Sequence, residues 1–504
     1  MGRAGAAETT AAILAVMPPL TAGALVFFTS AAVLVLEILA GRLLAPYVGV
    51  TLETYTGIIG VVLAGISLGT WLGGRLADRV DPRRTLGPML LLGGALALCA
   101  VPAIRLFGSL SLGAGPVAIV GLAAVGFFAP AAVLSAVSPT VVKLQLGDLR
   151  ETGTVVGRLS ALGTAGAIVG TFATGFVLIA ALPTTPIVVA LGALLSAAGL
   201  ALWAWLRPRG QRFPGGVLSL ALAAGVATVL VGSPCQYESA YFCARVIADD
   251  AAGGRVLYLD TLRHSYVDLF DPTHLEFSYA QIVGDVLETF RPPGEAISAL
   301  HIGGGGFTLP RYLAATRPGS DSLVLELDPT IVQIARSQLG LRTGPALRVR
   351  VGDARLALAD QPAGRYDLVV GDAFGGLAVP WHLTTREFVG QIRRTLRPDG
   401  IYVVNLIDYP PLGFARAQAA TLQAVFDHVA LVAPPARVAG AEGGNVVLAA
   451  SDAPLPLRAI QARNAGRGDD DVVVSGARLD AFVGDAPILT DDYAPVDQLL
   501  TPAT

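Results

Sequence analysis

Charge is what this chain most lacks. Of its 504 residues, 14% are Asp, Glu, Lys or Arg and 53% are hydrophobic, against about 25% charged and 45–50% apolar in an ordinary soluble domain. A wholly soluble protein is not expected. The deficit is also uneven: 13 basic and 7 acidic residues precede Ser233, leaving 22 basic and 31 acidic after it. A charge-poor, net positive half is thus followed by a net negative half, and an acidic soluble half argues against nucleic acid as a partner. Cysteine is scarce too. Three cysteines cannot build a disulfide scaffold, and no C-x-x-C or Cys/His cluster has metal-ligand spacing, so no metal is expected. Cys99 lies in an apolar run and reads as a small core residue. Cys235 and Cys243 flank the point where the chain leaves the apolar half, and could pair only in an oxidising compartment.

What the first half has is long apolar runs. A span needs about 20 mostly apolar residues, and seven candidates fall at 20–44, 55–73, 86–104, 116–137, 159–182, 186–206 and 216–231, the last the shortest. The opening run at 11–20 is broken by Pro18 and Pro19 and lacks a small-residue cleavage site, so the first span is expected to be retained. Arg75, Arg79, Arg83 and Arg84 lie between spans two and three, Lys143, Arg150 and Arg158 between four and five, and Arg207, Arg209 and Arg212 between six and seven. These loops fall on one side, which the positive-inside rule makes cytoplasmic. Seven spans then put the second half on the extracytoplasmic face of the cell (inner) membrane, away from where a cytosolic cosubstrate would be made. Glu37 and Arg42, five apart on the first span, are candidates for a structural ion pair or a functional one. The small residues at 161–175, Gly163, Gly166 and Gly170 among them, predict close helix packing.

After Ser233 short apolar runs alternate with helical stretches, which predicts an α/β unit with a mainly parallel sheet. Strands are expected at 256–259, 296–302, 322–327, 347–351, 367–370, 401–406 and 446–450, with a turn over 396–400. The strongest motif is Ala-Leu-His-Ile-Gly-Gly-Gly-Gly-Phe at 299–307, a strand running into glycines and then a helix. Glycines there permit positive φ and close approach to a nucleoside, so Gly303, Gly304 and Gly305 are candidate binding residues. About 20 residues on, Glu326 ends the next strand, where an acid binds ribose hydroxyls. Asp353 in Val-Gly-Asp-Ala and Asp372 in Val-Val-Gly-Asp-Ala-Phe end later strands; each is either a ligand in the crevice at the carboxyl edge or a helix N-cap.

These motifs, with Glu238-Ser-Ala-Tyr, Leu259-Asp and Glu276-Phe-Ser-Tyr279, resemble in order and spacing the spermidine synthase (polyamine aminopropyltransferase) family over 237–450. The whole chain resembles its membrane-fused bacterial members. The resemblance implies that Glu326 holds ribose, Asp353 contacts the adenine amino group, Asp372 lies beside the attacking amine and Tyr279 lines the amine pocket. It also implies departures: Gly306 replaces the Asp of the family's Gly-Gly-Gly-Asp-Gly-Gly loop, Gly375 replaces the second Asp of its Asp-x-x-Asp motif, Ala280 replaces a His and His264 a Gln. Adenosine recognition is kept and amine recognition is largely removed. His264 and Ser265 either line the pocket or close a hairpin, Glu276 is a further candidate, and Asp491, Asp492 and Tyr493 either fold back as amine ligands or form a solvated turn.

The expected architecture is an all-α multi-pass membrane bundle over 1–233, a small β-hairpin region over 234–295, a Rossmann-like S-adenosylmethionine-dependent transferase domain over 296–455 and a tail over 456–504 packed on it. The expected function is transfer of an aminopropyl-type group from decarboxylated S-adenosylmethionine, or a reaction of S-adenosylmethionine itself, to a small-molecule amine, with Asp372 and Tyr279 catalytic and methylthioadenosine released. Methyl transfer, S-adenosylmethionine cleavage, and a non-catalytic sensor or transporter are the alternatives. The lipid bilayer is a partner, nucleic acid is not, and a second copy of the chain stays open.

Overall fold

The computed structural model describes residues 17–110, 113, 115–146, 152–208, 210–249 and 253–500. The start of the run at 11–20, Arg150 and Arg209 lie outside the described residues. The chain divides into two units, Met1–Cys243 and Ala244–Thr504.

Among the described residues of the first unit, six helices are long and apolar enough to cross a membrane: α1 (Pro19–Val48), α2 (Leu52–Arg79), α3 (Pro82–Gly108), α4 (Pro116–Gln145), α5 (Thr152–Ala181) and α6 (Thr184–Leu206). The seventh expected span is α7 (Gly215–Leu230), of 16 residues. At 1.5 Å per residue it reaches about 24 Å, short of a hydrocarbon core of about 30 Å. Six of the seven expected spans thus have both the length and the composition of a membrane helix, and α7 has the composition at a shorter length. The prolines that break the first run serve as a helix start: Pro19 is the first helical residue of α1, where its missing N–H costs nothing. A Cβ on Gly166 of α5 would lie 2.1 Å from the Phe27 carbonyl oxygen of α1, so only glycine lets these backbones touch.

Glu37 and Arg42 do not pair. Five residues along a helix turn about 140°, so the two side chains point apart, and Arg42 donates to the Ser239 carbonyl at 3.0 Å. A second network ties the same end of the bundle. Arg105 donates to the carbonyls of Thr228 and Val231 at 2.9 and 3.1 Å, and Thr185 N and Oγ1 donate to the Glu238 carboxylate at 3.1 and 2.7 Å. Glu238 belongs to the two-residue strand β1 (Tyr237–Glu238), and the adjoining segment is closed by a Cys235–Cys243 disulfide.

The second unit opens with an antiparallel meander, β2 (Cys243–Asp249), β3 (Gly254–Leu259) and β4 (Leu262–Asp268). Helix α8 (Ser278–Thr289) leads into an eight-stranded sheet: β5 (Ser298–Ile302), β6 (Asp321–Glu326), β7 (Leu347–Val351), β8 (Tyr366–Gly371), β9 (Leu396–Asp408), β10 (His428–Ala433), β11 (Gly444–Ser451) and β12 (Val472–Ser475). The strand order is 12-10-11-9-8-5-6-7. Strands 7, 6, 5, 8 and 9 are parallel, while β11 runs antiparallel to its neighbours β9 and β10, and β12 antiparallel to β10. Strand β5 is buried at every position, as expected of a strand covered on both faces. The turn expected at 396–400 is instead an irregularity inside β9. Leu396 pairs with Tyr366 and Ile401 with Leu368, so the residues between them bulge from the ladder. The core includes Leu479, Phe482, Leu489 and Val496 beside strand residues such as Leu300 and Leu448, so the segment after β11 is part of this unit's interior.

Candidate active site

The order of the parallel strands reverses between β5 and β8, and ligands of open α/β sheets bind outside the carboxyl ends at such a point. Both strands end there in the expected motifs. Gly303 follows β5 with φ +93°, and a Cβ on it would lie 2.1 Å from the Asp372 carbonyl oxygen. Glycine is required here twice over, by conformation and by space. Asp372 N donates to the Ile302 carbonyl at 2.8 Å, which locks the acid at the head of the crevice beside the glycine loop.

On one side of the crevice Glu326 closes β6, 8% exposed. Its Oε2 accepts from Gly304 N at 2.8 Å and Gly305 N at 3.3 Å, and its Oε1 from Asp328 N at 2.9 Å. Burial raises its pKa, and these three N–H groups pull against that rise. Gly306 N donates to Ser265 Oγ at 3.0 Å, and Ser265 Oγ lies 3.1 Å from His264 Nδ1. His264 and Ser265 therefore sit on the glycine loop. Burial brings His264 down to about 4, so it is neutral at pH 7. Asp353 caps α9 (Ala354–Ala359) by accepting from Leu356 N at 3.0 Å, and its other oxygen lies 3.4 Å from His382 Nε2. The capping role does not consume both oxygens.

On the other side, Asp372 Oδ2 accepts from the Tyr279 hydroxyl at 3.1 Å and Oδ1 from Asn405 Nδ2 at 2.9 Å. Asn405 is held in turn by Asn445, whose Nδ2 donates to its Oδ1 at 3.0 Å. Burial raises the Asp372 carboxyl above its usual range, against the opposing pull of Asn405 and Tyr279. Burial and the adjacent Asp372 push the Tyr279 phenol well above its ordinary value, which keeps it a donor. An enclosed carboxylate with a raised pKa is a better proton acceptor near neutral pH than a solvated one.

The remaining candidates lie apart from this pair. Glu276 faces His274 at 3.3 Å and Arg263 at 3.6 Å. The Asp491 carboxylate is gripped by both terminal nitrogens of Arg355, at 2.9 and 2.5 Å, and by Thr385 Oγ1 at 2.7 Å. These contacts, Arg355 first, hold its pKa below the usual range. Asp492 is exposed, and so is Tyr493 at 60%. Asp491 is thus latched to Arg355 rather than presented to an amine. Two residues join the site that motif reasoning passed over. Asn405, 2% exposed, is a polar residue inside the apolar run Tyr-Val-Val-Asn-Leu, which was the available signal. Phe307, fully buried at φ +58°, stacks beneath Gly304, and nothing in its local sequence announces that conformation.

No family model matches the chain. A segment of 139 residues, 27% of this chain, is 34% identical to the polyamine aminopropyltransferase of Vibrio vulnificus and covers 45% of it. A segment of 214 residues, 40% of this chain, is 35% identical to polyamine aminopropyltransferase 2 of Streptomyces coelicolor and covers 35% of it. The chain thus spans half or less of the length of these curated relatives. Among solved structures, that of a probable spermidine synthase from Corynebacterium glutamicum is 28% identical, with a TM-score of 0.48 over 53% of this chain and 98% of that one. In both curated relatives, what the matched segment is similar to is a polyamine aminopropyltransferase.

Proposed function

We propose that the chain is a membrane-bound transferase that moves an aminopropyl-type group from an adenosyl sulfonium, decarboxylated S-adenosylmethionine or S-adenosylmethionine, to a small-molecule amine. The observation that carries this reading is the Asp372–Tyr279–Asn405 cluster at the strand-order reversal, beside the glycine loop whose Gly304 N binds Glu326. Glu326 and the loop would seat the ribose, and Asp353 the adenine edge. An alkylammonium with a pKa near 10.4 has no lone pair to attack with. Asp372, fixed by two donors, would orient the amine and accept its proton. The amine nitrogen then bonds to the carbon next to sulfur, the carbon–sulfur bond breaks with its electron pair going to sulfur, and neutral methylthioadenosine leaves.

A methyl-transferring reading is favoured by one specific feature. Gly306, whose N–H is taken by Ser265, stands where the family has an acid, so nothing there repels the carboxylate of S-adenosylmethionine. Incubation of the purified chain with each sulfonium donor and a panel of amines, read by mass, decides. Methylthioadenosine with an aminopropylated amine supports the first reading, and S-adenosylhomocysteine replaces it with the second.

The basic loops after α2, α4 and α6 and the Cys235–Cys243 disulfide support a catalytic half on the extracytoplasmic face if α7 crosses. Reporter fusions after Leu206 and after Glu238 test this: opposite faces require that α7 crosses, and the same face places the catalytic half in the cytoplasm.

A further inference from the structure

The membrane half holds a polar cavity that the reaction above does not use. It measures about 320 Å³ and lies among α1, α2, α4 and α5, within the volume range of small-molecule sites. Its lining includes Ser30, Thr70, Ser135, Ser138, Ser160 and Thr164, and no Asp, Glu, Lys or Arg. Hydroxyls in an apolar helix ordinarily bond back to the carbonyl four residues earlier, as Thr140, Thr171, Thr174 and Thr228 do here at 2.7–3.0 Å. A seventh lining hydroxyl, Thr29, bonds back to the Leu25 and Val26 carbonyls at 2.9 and 3.2 Å, whereas the other six make no hydrogen bond to any described residue. Six unbonded hydroxyls from four helices, those of Ser30, Ser135 and Ser138 half-buried and those of Thr70, Ser160 and Thr164 at the open side, line one space, and such groups are costly in hydrocarbon unless something polar occupies it.

What fits is set by a charge on the same helix, one turn beyond the lining. Glu37 stands three, four and seven residues beyond the lining residues Leu34, Val33 and Ser30, on the same stripe of α1. It makes no ion pair or hydrogen bond with any described residue. A carboxylate without a counter-ion in the middle of an apolar helix is expensive, and it marks a functional site by default. We infer that the cavity and Glu37 form a binding site for a small organic ammonium, its N–H groups bonded to the hydroxyl oxygens and its charge balanced by Glu37.

The test uses the full-length chain in lipid nanodiscs and equilibrium binding of labelled 1,4-diaminobutane. Asp372→Asn serves as the background, so that the soluble site does not contribute. Binding is expected to survive in Asp372→Asn and to weaken about tenfold or more on adding Glu37→Gln. The paired change Ser135→Ala with Thr164→Val, which leaves the carboxylate in place, is expected to weaken it severalfold. Excess 1,4-butanediol, equal in length but uncharged, is expected not to compete. The inference is overturned if Asp372→Asn alone abolishes diamine binding, if Glu37→Gln and the hydroxyl pair both leave it unchanged, or if butanediol displaces it. Methylthioadenosine affinity measured on every variant separates a lost site from a misfolded chain. Failure of this site leaves the transferase reading untouched, since that rests on product analysis.

Discussion

The two carboxylates that flank the crevice, Glu326 and Asp372, are both buried and both raised by that burial, yet they are held in different ways. Glu326 takes three backbone N–H groups from the loops that carry it. Asp372 takes two side chains from separate elements, Tyr279 of α8 and Asn405 of β9. A carboxylate held by backbone is fixed by the fold and cannot be tuned by a single substitution elsewhere. One held by side chains can be tuned residue by residue. The first arrangement suits a rigid seat for a nucleoside, and the second a group whose proton affinity must be set.

The sharpest way to break this contrast is to neutralise each acid in turn. Asp372→Asn is expected to cut turnover about 10²–10⁴-fold, the usual contribution of a positioned base, with methylthioadenosine affinity unchanged by calorimetry. An equal fall in both would make Asp372 part of the donor seat. Glu326→Gln is expected to act the other way. Its amide would turn a donor toward the N–H groups of Gly304, Gly305 or Asp328, which costs about 1–3 kcal/mol for the unsatisfied group. Thermal stability and nucleoside affinity should fall together, and turnover at saturating donor should change less. Tyr279→Phe is expected to have a smaller effect. It removes a hydrogen bond that lowers the Asp372 pKa, so the acid limb of the pH–rate profile should move to higher pH while the basic limb stays. An unmoved acid limb would mean that Asp372 does not titrate in the reaction.

The same contrast explains how much was legible beforehand. Glu326, Asp353 and Asp372 could be placed because a parallel strand ends at its carboxyl edge, and an acid at such an end is visible in one dimension. Gly303 likewise announces its positive φ. Asn405 was harder, because its role depends on β9 pairing beside β8, a fact of strand order that no local pattern carries. Strand β10 is not legible because it follows α10 (Gly413–Gln423) after a short connection, and its apolar run reads as continuous with helix. Between the two readings open for the tail the sequence could not choose, because the partners of Asp491, Arg355 and Thr385, are distant in sequence. The seventh span is set apart from the other six by length alone, since α7 has an apolar composition over only 16 residues.

The smallest effects expected are on stability, and they separate buried acids by what surrounds them. Asp408 ends β9, fully buried, and its two oxygens accept from Tyr409 N and Ala415 N at 2.8 Å each. Burial nevertheless lifts its pKa to about 6, above an unfolded value near 3.9. Because the folded pKa is the higher one, the protonated form is favoured in the fold. That contribution is complete below about pH 4, and is lost as pH rises through about 6. Asp408→Asn, which keeps the acceptor oxygen for one N–H but cannot ionise, should therefore flatten the pH dependence of the melting temperature between pH 4 and 6. His264 should tilt the curve the opposite way. Its folded pKa of about 4 lies below an unfolded value near 6.5, so its contribution is present above pH 6.5 and is lost as pH falls toward 4. His264→Gln removes that loss while leaving a polar side chain against Gly305. If the two single variants show no opposing change in slope over this window, then the meander and the end of β9 are more open to water than their packing implies, and the contrast between a fixed seat and a tunable base must be drawn at Glu326 and Asp372 alone.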